Sequence, residues 1–316
     1  MRRAGLVSAL AAGAALAGLL TGCGAAASAD EPSAAPGHVR VVASFYPIAF
    51  AVQQVGGDRV SVTSLTKAGV EPHDVELTAK DVGRIVSADL VVYAQGFQPA
   101  VDTAVEQEGS GHALDVAPVA HLDLLAADEE DGHASEGGDH DHGAKDPHFW
   151  LDPERYADVA RTIAQRLGAV DTAHAAEYAA NATAFTARLA SLDGDFRRGL
   201  TSCANSDLVT SHAAFGYLSQ RYGFTQVAIA GISPEVEPSA AQLAQVADFV
   251  REHRVTTIYA ETLGEPEFAD TISRTTGARL ATLDPLEGLT SESAGNDYFE
   301  VMRANLAVLQ AGQGCT

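Results

Sequence analysis

The sequence predicts an α/β protein made of two lobes, each a parallel β-sheet with helices, bridged by one long α-helix. Three observations lead there. Short apolar runs alternate with amphipathic stretches along the chain, the rhythm of βαβ units, and strands separated by helices of that length pair in parallel. The rhythm occurs twice, once in each half. Between the two halves lies the longest helical pattern in the sequence.

In the first half, strands are expected at Arg40–Phe45, Ser61–Leu65, Asp89–Ala94 and His112–Val116, with amphipathic stretches such as Ala79–Ser87 between them. The second half repeats the theme with Asp207–Ser211, Gln226–Ala230, Thr256–Ala260 and Arg279–Leu283. In the middle, Tyr178, Ala182, Phe185, Leu189, Leu192, Phe196 and Leu200 recur at spacings of four and three. That spacing puts one apolar stripe on a helix from about Thr172 to Leu200, and a stripe of this kind is a core face. At 1.5 Å per residue the helix spans roughly 40 Å, and no central Gly/Pro turn divides it into a hairpin. The lobes then occupy 38–171 and 202–316, with the linking helix at 172–201.

The chain opens with Arg2 and Arg3, continues through an apolar run from Ala4 to Leu20, and reaches Leu20-Thr21-Gly22-Cys23. This is the pattern of a secretory signal, residues 1–22, ending in a lipobox. The run is Ala-rich, Gly-interrupted and shorter than the ~20 apolar residues a membrane span needs. Lipidation of Cys23 would hold the protein on the outer face of the cytoplasmic membrane, since each buried CH₂ adds ~0.8 kcal/mol. Residues 23–37, mostly Ala, Ser, Pro and Gly, read as a flexible tether. The formal charge of −22 becomes −24 once Arg2 and Arg3 leave with the signal, which argues against a nucleic-acid partner. With Cys23 committed to lipid, Cys203 and Cys315 remain in an exported chain and are expected to form a disulfide. One segment breaks the α/β rhythm. Ala127–Asp146, rich in acids and carrying His133, His140 and His142, has no apolar periodicity and reads as a mobile surface loop.

Three histidines sit in settings unlike the other eight. His73 follows Glu71-Pro72, where the proline forces an extended or turn conformation. His148 stands between two Asp-Pro turns beside Phe149 and Trp150, and His212 closes a strand ahead of an expected helix at Ala213–Gly223. All lie at strand ends or loops, where α/β folds place ligand sites. Imidazole nitrogen suits zinc. The fourth ligand of such a site is a carboxylate or water, and Asp284 and Glu287 in one turn are candidates, with Glu71 and Asp74 flanking His73 as further options. One carboxylate among neutral rings suits zinc better than manganese or calcium, which prefer more oxygen.

From Val39 to the C-terminus the chain resembles the TroA-like solute-binding proteins, the zinc and manganese receptors of bacterial ABC importers. The segments that carry the resemblance are SFYPIAF at Ser44–Phe50, EPHDVELTAKD at Glu71–Asp81, DPHFWLDP at Asp146–Pro153, VTSHAAFGYLSQRYG at Val209–Gly223, GISPEVEPS at Gly231–Ser239 and LDPLEGL at Leu283–Leu289. The resemblance implies a metal site in the cleft between the lobes, with His73, His148 and His212 as ligands. It implies Glu287 as the fourth ligand, with Asp284 the alternative. It also implies a zinc-type member, because manganese-type members carry a carboxylate where His212 stands. The His133, His140 and His142 loop is similar to the insertion of zinc-type members and implies a weak auxiliary metal site. The expected role is a monomeric, lipid-anchored receptor that delivers Zn²⁺ to a membrane permease with a cytoplasmic ATPase. A manganese-type receptor and a metal-binding adhesin are the alternatives. A zinc hydrolase is not expected, since HExxH is missing and a fourth protein ligand leaves no open position on the metal.

Overall fold

The computed structural model describes residues 37–125, 145–264 and 266–316. The signal segment, Cys23, the tether up to residue 36 and His133, His140 and His142 lie outside the described residues. Two four-stranded parallel sheets are present. The first contains β1 (Val39–Ala43), β2 (Val60–Ser64), β3 (Leu90–Tyr93) and β4 (Ala113–Asp115) in the order β2-β1-β3-β4. The second contains β5 (Asp207–Thr210), β6 (Thr225–Ala228), β7 (Thr257–Ala260) and β8 (Arg279–Thr282) in the order β6-β5-β7-β8. Each strand falls within two residues of its expected bounds. The shared order, with the first strand of each half paired on both sides, is a repeat that apolar patterning does not reveal.

Local chemistry sets the helix boundaries. Pro47 occupies the first turn of α1 (Tyr46–Gly56), where its missing N–H costs nothing. Thr78 and Asp81 form a capping box at α2 (Ala79–Ser87), and Pro99 opens the short α3 (Pro99–Ala104). Asp152 caps α4 (Pro153–Val170) by accepting from the Glu154 N–H. The long helix α5 runs Ala175–Gly199, 25 residues, or about 38 Å, with residues 172–174 as a preceding 3₁₀ turn. Helix α6 is only Gly216–Tyr222. Ala213, expected to be helical, instead donates its N–H to the Gly231 carbonyl, and Gly223 at φ +80° ends the helix. Ser239 and Gln242 box the start of α7 (Ala240–Glu252). Helices α8 (Glu267–Thr276) and α9 (Tyr298–Gln313) complete the second half.

The expected stripe on α5 is buried from Tyr178 to Phe196, and Leu200 just beyond it is buried as well. It packs into one large core with Tyr156, Ile163 and Leu167 of α4, and that core takes in Val92 of the first sheet and Leu208 of the second. A separate, smaller core of Val209, Ile258, Val246 and Ile272 lies within the second half. Cys203 and Cys315 are joined by a disulfide that ties the end of α9 to the segment after α5. No described helix is long and apolar enough to cross a membrane.

Candidate metal centre

His73 lies in the loop between β2 and α2. Pro72 opens a turn there, its carbonyl accepting the Val75 N–H at 3.4 Å, and Glu71 Oε2 accepts the His73 N–H at 2.9 Å. The buried Gln98 side chain steadies the same loop, donating to the Pro72 carbonyl at 2.9 Å and to Thr66 Oγ1 at 3.0 Å. The His73 ring meets Phe97 edge-on with centroids 4.6 Å apart.

His148 is held differently. Asp146 Oδ1 accepts the His148 backbone N–H at 2.9 Å and faces its Nδ1 at 2.8 Å. Trp150, in the 3₁₀ turn that follows, packs on the ring at 5.2 Å. This corrects one boundary. Asp146, expected as the last residue of the mobile loop, is 3% exposed, because its carboxylate is committed to His148. Just before Asp146, Lys145 forms an antiparallel bridge with Leu125.

His212 follows β5 by two residues. Its N–H donates to Glu261 Oε1 at 3.0 Å, and its Nδ1 faces Glu261 Oε2. Glu261 directly follows β7. Two carboxylates thus each grip a histidine twice, once on the backbone and once on the ring. Asp146 stood in a quoted motif but read only as a turn former, and Glu261 stood in none. Its signal was its position at the carboxyl end of a strand, the edge on which α/β sheets bind ligands.

Glu287 comes from the loop after β8, and that loop is shaped by Asp284. Asp284 Oδ1 accepts the Leu286 N–H at 2.8 Å, Oδ2 accepts from Ser293 at 2.7 Å, and its backbone exchanges two bonds with Asn305. Trp150 Nε1 donates to the Pro285 carbonyl at 2.8 Å. Together these hold Leu286 at φ +60°, a left-handed conformation that a leucine seldom adopts, and so turn Glu287 inward. Asp284, the alternative fourth ligand, is occupied in forming the loop and does not join the donor group. Asp74, another option, is exposed.

The four side chains converge. Among the described residues, one potential metal-holding group exists, His73, His148, His212 and Glu287, with donor atoms all within 4.8 Å of one another and every residue buried. Glu287 Oε1 lies 2.8 Å from His148 Nε2, 3.1 Å from His212 Nε2 and 3.3 Å from His73 Nε2. Ligands at 2.0–2.1 Å around a tetrahedral zinc stand about 3.3 Å apart, and the three distances from Glu287 Oε1 lie at or just inside that edge length. Glu71 Oε1 is farther out, 3.9 Å from His73 Nε2.

Proton affinities divide the group. Burial lowers His73, outweighing the opposing bond from Glu287. Burial also opposes charge on His148, but the bonds to Asp146 and Glu287 prevail and raise it. At His212 burial is again outweighed, by Glu261 and then Glu287, and the ring is raised well above an ordinary imidazole. Burial would raise Glu287, yet His212 and the bonds from the three rings hold it well below the usual carboxylate range. Glu71 is pushed up to about 7, first by burial and then by Glu287.

Fold and site together define a class: a two-sheet α/β protein in which four buried side chains able to hold a metal converge. The chain belongs to the family described as zinc-uptake complex component A, periplasmic, whose profile matches residues 41–312. It is 36% identical to the zinc-binding protein AdcA of Streptococcus pyogenes serotype M6 over 87% of its own length and 56% of that relative, so it spans little more than half of it. It is 35% identical to the high-affinity zinc uptake system protein ZnuA of Bacillus subtilis, covering 92% of this chain and 93% of that one. Among solved structures, Zn(II)-bound AdcA from Streptococcus pneumoniae superimposes with a TM-score of 0.72 at 34% identity, over 88% of this chain and 58% of that one.

Proposed function

We propose that this chain is the extracytoplasmic zinc receptor of an ABC importer. It binds one Zn²⁺ through His73, His148, His212 and Glu287 and delivers it to a membrane permease driven by a cytoplasmic ATPase. The observation that carries the reading is the meeting of four buried donors, two from each half of the chain, with their ligand atoms within 4.8 Å of one another. Three imidazoles and one carboxylate favour zinc over manganese. Four protein donors complete the tetrahedron and leave no position for a reacting water, which supports a receptor and not a hydrolase. The lobes are 38–171 and 202–316, joined by the helix at 172–201, and the mature protein is a monomer anchored through Cys23 to the outer face of the cytoplasmic membrane. Release then requires separating donors that belong to different halves, a task suited to docking on the permease.

The experiment is a competitive titration of metal-free protein with zinc and manganese, on the intact chain, on a variant lacking Asp128 to Ala144, and on His148→Ala. One tight zinc should bind, manganese should bind far more weakly, and loop deletion should leave both results unchanged. Tighter manganese than zinc, or tight zinc that survives His148→Ala but not the loop deletion, overturns the reading.

A further inference from the structure

Asp146 closes against helix α6 at a point where only glycine fits. Its Oδ1 is engaged twice by His148, through the backbone N–H and through Nδ1. Its Oδ2 lies where a side chain on Gly216 would begin. A Cβ there would come within 2.4 Å of Oδ2 and 3.1 Å of Leu124 Cδ1. A carbon and an oxygen do not approach that closely in a packed interior, so one partner has to move.

Helix α6 is poorly placed to retreat. Tyr217 and Leu218, the residues after Gly216, are fully buried. The Tyr217 hydroxyl donates to the Asp146 carbonyl at 3.0 Å and accepts the Leu124 N–H at 3.4 Å. Asp146 is the freer partner, but its carboxylate sits one carbon from the backbone. Turning Oδ2 away from a methyl group therefore pulls Oδ1 off both His148 groups.

We propose that Gly216 is a positioning residue for metal capture: by lacking a side chain it admits the Asp146 carboxylate that orients His148. The inference rests on reading the four-donor group as a metal site. Gly216 belongs to none of the donors and comes from the second half of the chain, yet it acts on a ligand of the first half. Partners that orient a metal-bound imidazole are worth on the order of 10–100-fold in affinity, and a methyl on residue 216 is expected to remove that contribution.

The test is a double-mutant cycle on the mature chain, with zinc affinity read by competition against a chromophoric chelator. Gly216→Ala should weaken zinc by about 10–100-fold, Asp146→Ala by a similar factor, and the double variant no more than Asp146→Ala alone. Losses that add across the cycle, or a Gly216→Ala protein that binds zinc like the unmodified chain, overturn the proposal. The same substitution in a Leu124→Ala background meets only Asp146. It should still weaken zinc, and recovery of affinity there would assign the effect to Leu124 and sink the idea. If Gly216→Ala does not fold, a folded double variant supports action through Asp146, and an unfolded one refutes it. His148→Ala in the same assay keeps the two readings apart. Normal zinc binding by that variant removes the metal site itself, whereas loss of binding there with an unaffected Gly216→Ala removes only the role of Gly216.

Discussion

His148 and His212 are each clasped by a carboxylate that reaches backbone and ring together, while His73 is fixed by its backbone and rests its ring on Phe97. Among the described residues no carboxylate bonds the second ring nitrogen of His73. The first pair is fully buried, and His73 is 7% exposed. A carboxylate on one imidazole nitrogen raises the basicity of the other and fixes its direction. Two donors of the site are therefore strong and preset, and the third is weaker and lies nearer to solvent. On the proposed reading, the ion would be held more firmly on the His148 and His212 side than on the His73 side.

The widest separation should appear on removing the rings themselves. A tetrahedral zinc site of about 10–16 kcal/mol distributes roughly 2.5–4 kcal/mol to each ligand, or about 10²–10³-fold in affinity. His212→Ala should reach the upper end of that range and His73→Ala the lower, measured by chelator competition. Equal losses, or a larger loss at His73, would break the contrast.

Next come the supports. Glu261→Gln keeps the shape of the side chain but removes the charge behind His212, and should weaken zinc by about 10–100-fold. Phe97→Leu removes the edge-on ring contact on His73, together with ring contacts to Phe45, Trp150 and His148, and should weaken zinc by about 1 kcal/mol or roughly fivefold. Isothermal titration of both variants ranks them directly. A Phe97 effect larger than the Glu261 effect would mean that packing, and not charge, presets the site.

Acid sharpens the same division. Zinc requires neutral rings, and the metal-free protein holds His148 and His212 protonated to higher pH than an ordinary imidazole. Affinity is therefore complete only above those raised values and should already be declining as pH falls toward the ordinary imidazole value of ~6.5, with protons released on binding at neutral pH. His73, lowered by burial, adds its share only in stronger acid. Binding measured in buffers of different ionisation enthalpy reports the proton count, and a flat profile over this window would exclude the two raised rings as ligands.

The smallest effect on binding should come from the disulfide. Replacing Cys203 and Cys315 by serine opens a closure of 112 residues, worth about 4–5 kcal/mol of folding stability. Both lie apart from the donor group, so zinc affinity should stay within roughly twofold. A lower melting temperature with unchanged affinity is the expected pair of results. Loss of affinity as well would show that the α9 clamp reaches the site.

Periodicity and punctuation are local properties, and they were legible without coordinates. The eight strands, the long helix with its buried stripe from Tyr178 to Leu200, and the settings of His73, His148 and His212 all follow from spacing, proline and strand ends. The choice between Asp284 and Glu287 does not. Both stand in one turn of sequence; the family resemblance favoured Glu287, and the physical reason lies with distant partners, Asn305, Ser293 and Trp150, which spend the aspartate on the loop and turn the glutamate inward. Glu261 and Gly216 were silent for the same reason. A carboxylate at a strand end and a glycine at a helix start look ordinary until packing brings them against His212 and Asp146. Local propensity depends on neighbours in the chain, so the sequence by itself determined the elements and the candidate rings. Which oxygen faces the centre, which ring is backed by charge, and where a methyl group would not fit depend on residues tens to hundreds of positions apart, and only the tertiary structure decided them.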